Sequence, residues 1–443
     1  MSRSLLLVSY FYPPCPDTGA HRPAAMAKYL RKAGHEVTVL TTRAYGELTD
    51  DEGHGIVRTY DLRLARARLA GRDRVEPVFS SSGNGGGGGG AAGRPHPLSY
   101  LLVPEALVAA WVPFARAAAL RLHRERRFDC VITTSPPESA HLVGHALQRR
   151  GVPWVADLRD GWNFQPLRPR FPTSLQRRGD QRLERRTLGA ADAVTCVTDA
   201  MADDARDRLG ARSAVVPSGF DPPVAGDGSS DDDAAAAGLL DPTRTSIVYT
   251  GRFGQYRRDP TFLIEAVAAL AARDPDAAER LELVFAGPYS DAELELLGRD
   301  VAPARIVVPG TLPRERALAL QRQADALLLI YAGEHHPGGM LASEEPAGSP
   351  RPGLGSAKLF EYLGTGKPIL ALAEGTEVGR MVAEMGAGLV VPATDPDAIG
   401  SALRELAAGD VPAADEAARA AYAYPRIAEL MEEQVEKAIA RRT

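Results

Sequence analysis

The chain has 443 residues, more than a single hydrophobic core usually serves, so two domains are expected. Hydrophobic residues at 44% and charged residues at 25% are typical of a soluble globular protein. The 52 basic and 57 acidic residues leave a formal net charge of −5, which excludes a general attraction to nucleic acid, and no uninterrupted apolar run is long enough to cross a bilayer.

Short apolar or β-branched runs alternate with helical stretches along the chain, and this plan occurs twice. The first half contains SLLLVSYF, EVTVLTT, FDCVITT, VPWVADL, ADAVTCV and SAVVPSG, and the second half contains TSIVYTG, LELVFAG, ARIVVPG, ADALLLIY, KPILALA and AGLVVPA. Buried parallel strands have this pattern. The predicted fold is α/β, with two doubly wound, Rossmann-like domains whose parallel sheets face a central cleft, and that cleft is the expected ligand site.

Two low-complexity stretches set the predicted domain boundaries. Residues 224–243, rich in Gly, Ser and Asp, are predicted to be a flexible linker, and the Gly-rich residues 80–93 a disordered surface insertion. The linker separates an N-terminal domain at 1–223 from a C-terminal domain at 244–424. Residues 425–443 are predicted to form a C-terminal helix that can return to pack on the N-terminal domain.

The stretch GLGSAKLFEYLGTGKPILALA, residues 353–373, predicts a short helix followed by a buried strand. Lys358, Glu361 and Tyr362 are predicted on the side of this helix opposite to Leu359, Phe360 and Leu363. One interpretation is a solvated face with a weak Lys358–Glu361 pair. The other is a phosphate site at the helix N-terminus beside Lys358, with Glu361 bound to a ribose and backbone N–H groups supplied by three residues. These are Gly355, Ser356 and Ala357.

A second cluster of basic residues follows the first strand of the second half. Arg252 comes directly after that strand, and Arg257 and Arg258 precede an amphipathic helix. Guanidinium groups at such a place would bind a diphosphate by forked hydrogen bonds, whereas surface ion pairs are the competing interpretation. Gly251 and Thr311, which also follow predicted strands, are added to the expected substrate contacts.

Strand ends in the first half supply the other candidates. Gly19 lies in the loop after the first strand, where a small residue permits close approach of the backbone to a ligand. Ser135 and His141 follow the third predicted strand, and His141 is read either as a packed helix residue or as a group facing substrate. Asp157, Arg159 and Asp160 follow the next strand and either contact substrate or form a structural Asp–Arg pair.

Six segments together resemble a GT-B glycosyltransferase of family 4, in family order and over nearly the whole chain apart from the two low-complexity stretches. They are YFYPPCPDTGAHRPAAMAKYLRKAGHEVTVLTT (10–42), FDCVITTSPPESAHLVGHAL (128–147), VPWVADLRDGW (152–162), VVPSGFDP (215–222), YTGRFG (249–254) and KLFEYLGTGKPILA (358–371).

The resemblance implies a nucleotide-sugar donor in the C-terminal domain and an acceptor in the N-terminal domain. Arg252 and either Arg258 or Arg257 match the family's diphosphate-binding basic pair, and Glu361 matches its ribose-binding acid. The first acid of the family's motif is replaced by Gly353. Asp160 and its neighbours correspond to acceptor and donor-sugar contacts.

The function expected from this resemblance is retaining transfer of a sugar from a nucleoside diphosphate to an acceptor hydroxyl. Arg252, Arg258, Lys358, Glu361 and Asp160 are the expected catalytic residues. No metal and no cofactor besides the donor are expected, and the acceptor is a small molecule, a glycan or a lipid-linked group. The alternatives are a sugar-nucleotide 2-epimerase of the same fold and a non-catalytic nucleotide-sugar-binding protein.

The cellular setting follows from the cysteines and from one basic stretch. Cys15, Cys130 and Cys196 have neither metal-ligand spacing nor a disulfide pattern, which favours a reducing cytoplasm. The basic residues 116–128 are read as a solvated helix face or, alternatively, as a peripheral contact with the inner face of the membrane.

Overall fold

The computed structural model divides into two compact units, described here one at a time. Unit 1 comprises Met1–Ser218 together with Tyr424–Thr443, and unit 2 comprises Gly219–Ala423. The described residues are 1–15, 18–46, 55–69, 71, 104, 110–164, 171, 173–222, 231–253, 259–331, 357–409 and 411–442.

Unit 1 contains a seven-stranded sheet in which every pair of neighbours is parallel, with strand order β3-β2-β1-β4-β5-β6-β7. The order reverses between β1 and β4, which is where doubly wound sheets open a crevice for ligands. The strands are β1 Ser4–Ser9, β2 Glu36–Thr42, β3 Ile56–Thr59, β4 Cys130–Ser135, β5 Trp154–Leu158, β6 Ala193–Cys196 and β7 Ser213–Val215. The helices are α1 His21–Lys32, α2 Leu62–Leu69, α3 Val112–Arg126, α4 His141–Gln148, α5 Ser174–Leu188, α6 Asp199–Asp207 and, from the second stretch of chain, α16 Tyr424–Ala440.

Helices cover both faces of this sheet, because successive side chains of a strand point to opposite faces. Leu5 and Leu7 of β1 pack in a core with α1 and α16. Leu6 and Val8 pack in another core with α3, α4 and α6. The strands are therefore apolar on both sides and appear in the sequence as continuous hydrophobic runs.

Unit 2 contains a six-stranded parallel sheet of order β10-β9-β8-β11-β12-β13, which reverses between β8 and β11. Its strands are β8 Thr245–Thr250, β9 Leu281–Ala286, β10 Arg305–Gly310, β11 Ala326–Ile330, β12 Ile369–Leu372 and β13 Gly388–Val391. Its helices are α7 Asp231–Ala237, α8 Thr261–Arg273, α9 Pro275–Glu279, α10 Asp291–Leu297, α11 Arg314–Gln323, α12 Ala357–Thr365, α13 Glu377–Glu384, α14 Pro396–Ala408 and α15 Glu416–Ala420.

The predicted α/β class with two doubly wound parallel sheets is confirmed, and each of the predicted apolar runs contains a strand. Two local features differ from the prediction. The edge strand β3 was not predicted, and the predicted linker contains the helix α7, whose Asp232 and Asp233 pair with Arg316 and Arg322 of α11. The predicted insertion at 80–93 lies outside the described residues.

Candidate functional site

The loops at the carboxyl ends of β8 and β9 come together through glycine backbone in unit 2. Gly251 has φ +117° and donates its N–H to the carbonyl of Ala286 at 2.7 Å. A Cβ added at Gly287 would lie 2.1 Å from the carbonyl oxygen of Gly251. Only glycine permits this approach, so the carboxyl end of β8 has an edge at which Gly251 and Gly287 present backbone without side chains.

Lys358, in the first turn of α12, extends to this edge. Its Nζ lies 3.8 Å from the centroid of the Tyr249 ring, in cation–π geometry. A Cβ at Gly251 would lie 2.7 Å from the same Nζ. The ammonium group is therefore placed at the strand end where ligands bind in parallel α/β sheets.

Glu361, one turn further along α12, is oriented by unit 2 side chains outside its own helix. Gln321 donates its Nε2 to Glu361 Oε1 at 2.7 Å and to Thr250 Oγ1 at 2.8 Å. Arg314 Nη2 lies 3.2 Å from Glu361 Oε2, in an ion pair with side chains 47% and 27% exposed. The partner of Glu361 is thus Arg314, and the predicted Lys358–Glu361 pair is wrong.

Tyr362 was predicted on the polar side of α12 but is fully buried. The backbone N–H of Thr250 donates to its hydroxyl at 3.3 Å. The Tyr362 hydroxyl thus accepts a hydrogen bond from a buried backbone N–H at the end of β8, while the ring packs in the core. This correction leaves Lys358 and Glu361 as the polar residues of the predicted face.

The remaining unit 2 candidates are placed as follows. Arg252 is half-buried directly after Gly251, and its carbonyl accepts the Tyr249 hydroxyl at 2.5 Å. Thr311 is exposed after β10, and Ala357 is the first residue of α12. Four predicted residues lie outside the described ranges: Arg257, Arg258, Gly355 and Ser356.

In unit 1, Asp157 forms a buried ion pair with Arg22. Arg22 Nη2 lies 2.9 Å from Asp157 Oδ1 and its Nε 3.2 Å from Oδ2. Thr134 and Thr195, which are opposite Asp157 on the strands to either side, each donate to the carboxylate at 2.8 Å. Burial alone would raise the pKa of Asp157, but Arg22 and the two threonines more than offset it and hold the pKa below its usual value.

The predicted alternative of a structural Asp–Arg pair is therefore found at Asp157, although its partner is Arg22 and not Arg159. Four donors fill the carboxylate, and the residue is 3% exposed. These four hydrogen bonds favour the structural pair over a substrate contact at Asp157, and the substrate contact stays a prediction.

Arg159 binds backbone carbonyls of neighbouring loops. Its Nε donates to Ser135 and its Nη2 to Pro136, both at 2.7 Å, and its Nη1 donates to the carbonyl of Gly19. The loops after β1, β4 and β5 are thus tied together by one guanidinium. Asp160 is half-buried beside it, at the carboxyl end of β5.

His141 is a fully buried residue of α4, stacked on Trp162. Its Nδ1 shares a 2.7 Å hydrogen bond with Thr133 Oγ1, which also accepts the Trp154 indole N–H at 2.8 Å. Burial lowers the pKa of His141 to about 3, so the ring is neutral near pH 7. Among described residues, neither His141 Nε2 nor the buried Ser135 Oγ has a hydrogen-bond partner.

Two family models match the chain, one over most of the N-terminal part of unit 1 and the other over most of unit 2. The model of Glycosyltransferase Family 4 matches residues 23–223, and the model of Glycosyl transferases group 1 matches residues 244–408. The chain belongs to the family 4, group 1 glycosyltransferases of the GT-B type. None of the curated proteins compared with this glycosyltransferase matches it.

Solved structures share the fold of this glycosyltransferase at low identity. Sucrose-phosphate synthase from Thermosynechococcus elongatus is 17% identical with a TM-score of 0.58, over 99% of this chain and 100% of that one. An α,α-trehalose 6-phosphate synthase from Burkholderia multivorans is 14% identical with a TM-score of 0.57, over all of both chains. A putative UDP-N-acetylglucosamine 2-epimerase from Listeria monocytogenes is 14% identical with a TM-score of 0.54, over 100% and 98% of the two chains.

The described part of the glycosyltransferase contains neither a candidate metal cluster nor a candidate membrane span. Within those residues, no three His, Cys, Asp or Glu side chains are grouped so that they could hold a metal ion. No helix in the same ranges is long and apolar enough to span a membrane.

Sequence reasoning missed the residues of the glycosyltransferase that orient others. Arg22 is buried, yet in sequence it is an ordinary polar residue near the start of α1. Gln321 and Arg314, which orient Glu361, come from α11, some 40 and 47 residues away in the chain. A buried acid predicts that a basic partner exists, but the sequence does not say which one.

Proposed function

We propose that this glycosyltransferase moves a sugar from a nucleoside-diphosphate sugar to an acceptor hydroxyl, with retention of configuration and without a divalent metal. The observation that carries the proposal is the pair on α12. Lys358 lies against Gly251 and the Tyr249 ring, and Glu361, one turn later, is held by Gln321 and Arg314. A cation and an acid are thereby fixed at the carboxyl end of the first strand of the unit.

Lys358 and Arg252 would act on the leaving group. When the bond between sugar and diphosphate breaks, negative charge grows on the phosphate oxygens. Preorganised cations at that place stabilise the transition state more than the ground state. Arg258, or Arg257, would contribute a further positive charge beside Lys358 and Arg252. With cations supplying the stabilisation, the reaction would need no metal.

Glu361 would accept hydrogen bonds from the ribose hydroxyls of the donor. Gln321 already donates to one of its oxygens, and Arg314 to the other. Each carboxylate oxygen can accept a further hydrogen bond, and the side chain is 27% exposed. The carboxylate therefore keeps acceptor sites for a ligand, whereas those of Asp157 are filled by four donors.

The proposed retention rests on the family resemblance. The base and sugar of the donor and the identity of the acceptor stay open, and the acceptor classes are a small molecule, a glycan or a lipid-linked group. The proposed contacts in unit 1 are Ser135, His141 and Asp160. For a lipid-linked acceptor, the proposed setting is the inner face of the membrane.

Incubation with a panel of nucleoside-diphosphate sugars and candidate acceptors, with and without EDTA, tests the proposal. We expect release of a nucleoside diphosphate, a product whose anomeric configuration matches the donor by NMR, and no loss with EDTA. Interconversion of the donor with its 2-epimer would identify an epimerase, and binding without turnover a non-catalytic protein. Loss of activity with EDTA that manganese or magnesium restores would contradict the metal-free scheme.

A further inference from the structure

Three neighbouring helices of unit 1 carry a concentration of exposed arginines. α3 packs beside α4 and α4 beside α5, on the sheet face opposite to α1 and α16. We name these side chains the arginine face, and its members are Arg116, Arg121 and Arg124 of α3, Arg149 and Arg150 after α4, and Arg177, Arg178, Arg182, Arg185 and Arg186 of α5.

Arginines from all three helices converge around His145 of α4. Burial lowers the pKa of His145, and Arg186, Arg149 and Arg116 lower it further. A positive charge lowers the pKa of a histidine only when it lies nearby. Together with the packing of α3 beside α4 and of α4 beside α5, this places Arg116, Arg149 and Arg186 near one another on the same face.

The helix α5 separates its charges between two sides. Its acids, Asp180 and Glu184, are buried, where Asp180 accepts from the Trp162 indole and Glu184 pairs with Arg208. Arg178 and Arg182 are exposed and four residues apart, so they lie on one stripe of the helix. The outer side of α5 is thus basic without its own acids.

Counterions from the protein are scarce on this face. In the part of the chain that the structure describes, four of the α5 arginines have side chains that form neither an ion pair nor a hydrogen bond: Arg178, Arg182, Arg185 and Arg186. The chain as a whole carries −5. The arginine face is therefore positively charged although the chain as a whole is negative, which is the charge distribution expected of a surface that binds an anionic partner.

Leu175 adds an apolar group to the same stripe. It lies in the first turn of α5, three residues before Arg178, and is 77% exposed. A helix with an exposed apolar side chain among arginines suits the interface between lipid headgroups and acyl chains. The exposed residues of α5 include no aromatic ring that could stack on a nucleic acid base.

We propose that the arginine face binds the surface of an anionic phospholipid membrane, with Leu175 entering the headgroup region. The arginines would supply electrostatic attraction to lipid phosphates and Leu175 a small hydrophobic contribution. The inference concerns a surface of unit 1 and does not depend on the chemistry proposed for unit 2.

Sedimentation of the full chain with vesicles tests this surface. We expect binding to vesicles of phosphatidylcholine with phosphatidylglycerol, weakening as sodium chloride rises, and little binding to phosphatidylcholine alone. The combined substitutions Arg178→Gln, Arg182→Gln, Arg185→Gln and Arg186→Gln should reduce partitioning at least about tenfold, because each basic residue near the surface contributes to attraction.

A matched variant controls for net charge. Arg273→Gln, Arg280→Gln, Arg299→Gln and Arg404→Gln remove the same four charges from exposed positions in unit 2 and should leave vesicle binding within about twofold. Equal losses in the two variants would overturn the proposal, because net charge alone would then explain binding. Melting curves should show that all variants remain folded.

Leu175→Ser separates a membrane from other polyanions. It keeps every arginine and should weaken vesicle binding about two- to fivefold, while leaving binding to heparin or single-stranded RNA unchanged. Failure of the wild-type chain to bind the anionic vesicles would overturn the proposal. So would vesicle binding that Leu175→Ser leaves unchanged beside tighter binding to RNA, which would favour a nucleic acid partner.

Discussion

Asp157 in unit 1 and Glu361 in unit 2 are both acids near the carboxyl ends of parallel strands, yet their surroundings differ. Asp157 is fully buried and accepts from Arg22, Thr134 and Thr195. Glu361 is half-buried and receives one donor on each oxygen. The lesson is that a position at a strand end does not make an acid a ligand group. What matters is how many of its acceptor sites the protein has already filled.

The strongest test of the comparison is Asp157→Ala. Removal of this acid leaves Arg22 buried without its counter-charge, so the free energy of unfolding should fall by about 3–5 kcal/mol. Urea denaturation measures the loss, and Asp160→Ala, three residues along the chain, should cost less than about 1 kcal/mol. A variant at Asp157 that keeps its stability and loses only activity would return Asp157 to the substrate site.

Lys358→Met tests the cation that lies one turn before Glu361 in α12. The substitution keeps length and apolar contact with the Tyr249 ring but removes the charge, so kcat should fall about 100- to 1,000-fold. Affinity for the free nucleoside diphosphate should fall less, because the charge on the phosphate grows in the transition state. Steady-state kinetics and calorimetric titration give the two numbers. Equal losses in both would mean that Lys358 contributes only binding.

Glu361→Gln sharpens the contrast between a filled and an open carboxylate. Donor affinity should fall by about 1–2 kcal/mol, because charged hydrogen bonds to ribose become neutral ones. Thermal stability should barely move, since the pair with Arg314 is partly exposed. Arg314→Gln is the matched control, because it breaks the same ion pair and keeps the acid. If both variants lose the same affinity, the ion pair and not the carboxylate explains the effect.

The smallest expected effect is a pH dependence from His141. Its pKa is about 3 in the folded chain against an ordinary 6.5, so the unfolded chain binds more protons between these values and stability falls as pH falls. The wild type should lose about 1 kcal/mol between pH 7 and pH 5.5 that His141→Gln does not lose. Urea denaturation at both pH values measures the difference. Parallel changes in the two proteins would show that folding does not lower the pKa of His141.

The sequence predicted what depends on local pattern. Apolar runs such as LELVFAG located the buried strands, because strands covered on both faces are hydrophobic throughout. Ile56–Thr59 was missed, since this edge strand is short and only half-buried over most of its length. Glu361 was found as a candidate because it lies in a helix that resembles the family motif.

Partners of side chains could not be predicted in the same way. A structural Asp–Arg pair was one interpretation of Asp157, Arg159 and Asp160, but the sequence could not name the basic partner. Contact depends on which helix passes over the strand end, and that helix is α1 with Arg22. Tyr362 was placed on the polar side because periodicity does not register a phenol whose hydroxyl serves a buried N–H. Such contacts are set by the fold as a whole.

The return of α16 to unit 1 has a consequence for how the chain folds during synthesis. This helix covers one face of the unit 1 sheet, where its Ile427, Met431 and Val435 pack in one core with Cys130, Ile132 and Val155 of the strands. These strand residues leave the ribosome long before α16, with all of unit 2 translated in between. The N-terminal part therefore cannot complete its core first, as nascent domains usually do, and this apolar sheet face is covered only once residues 424–440 emerge.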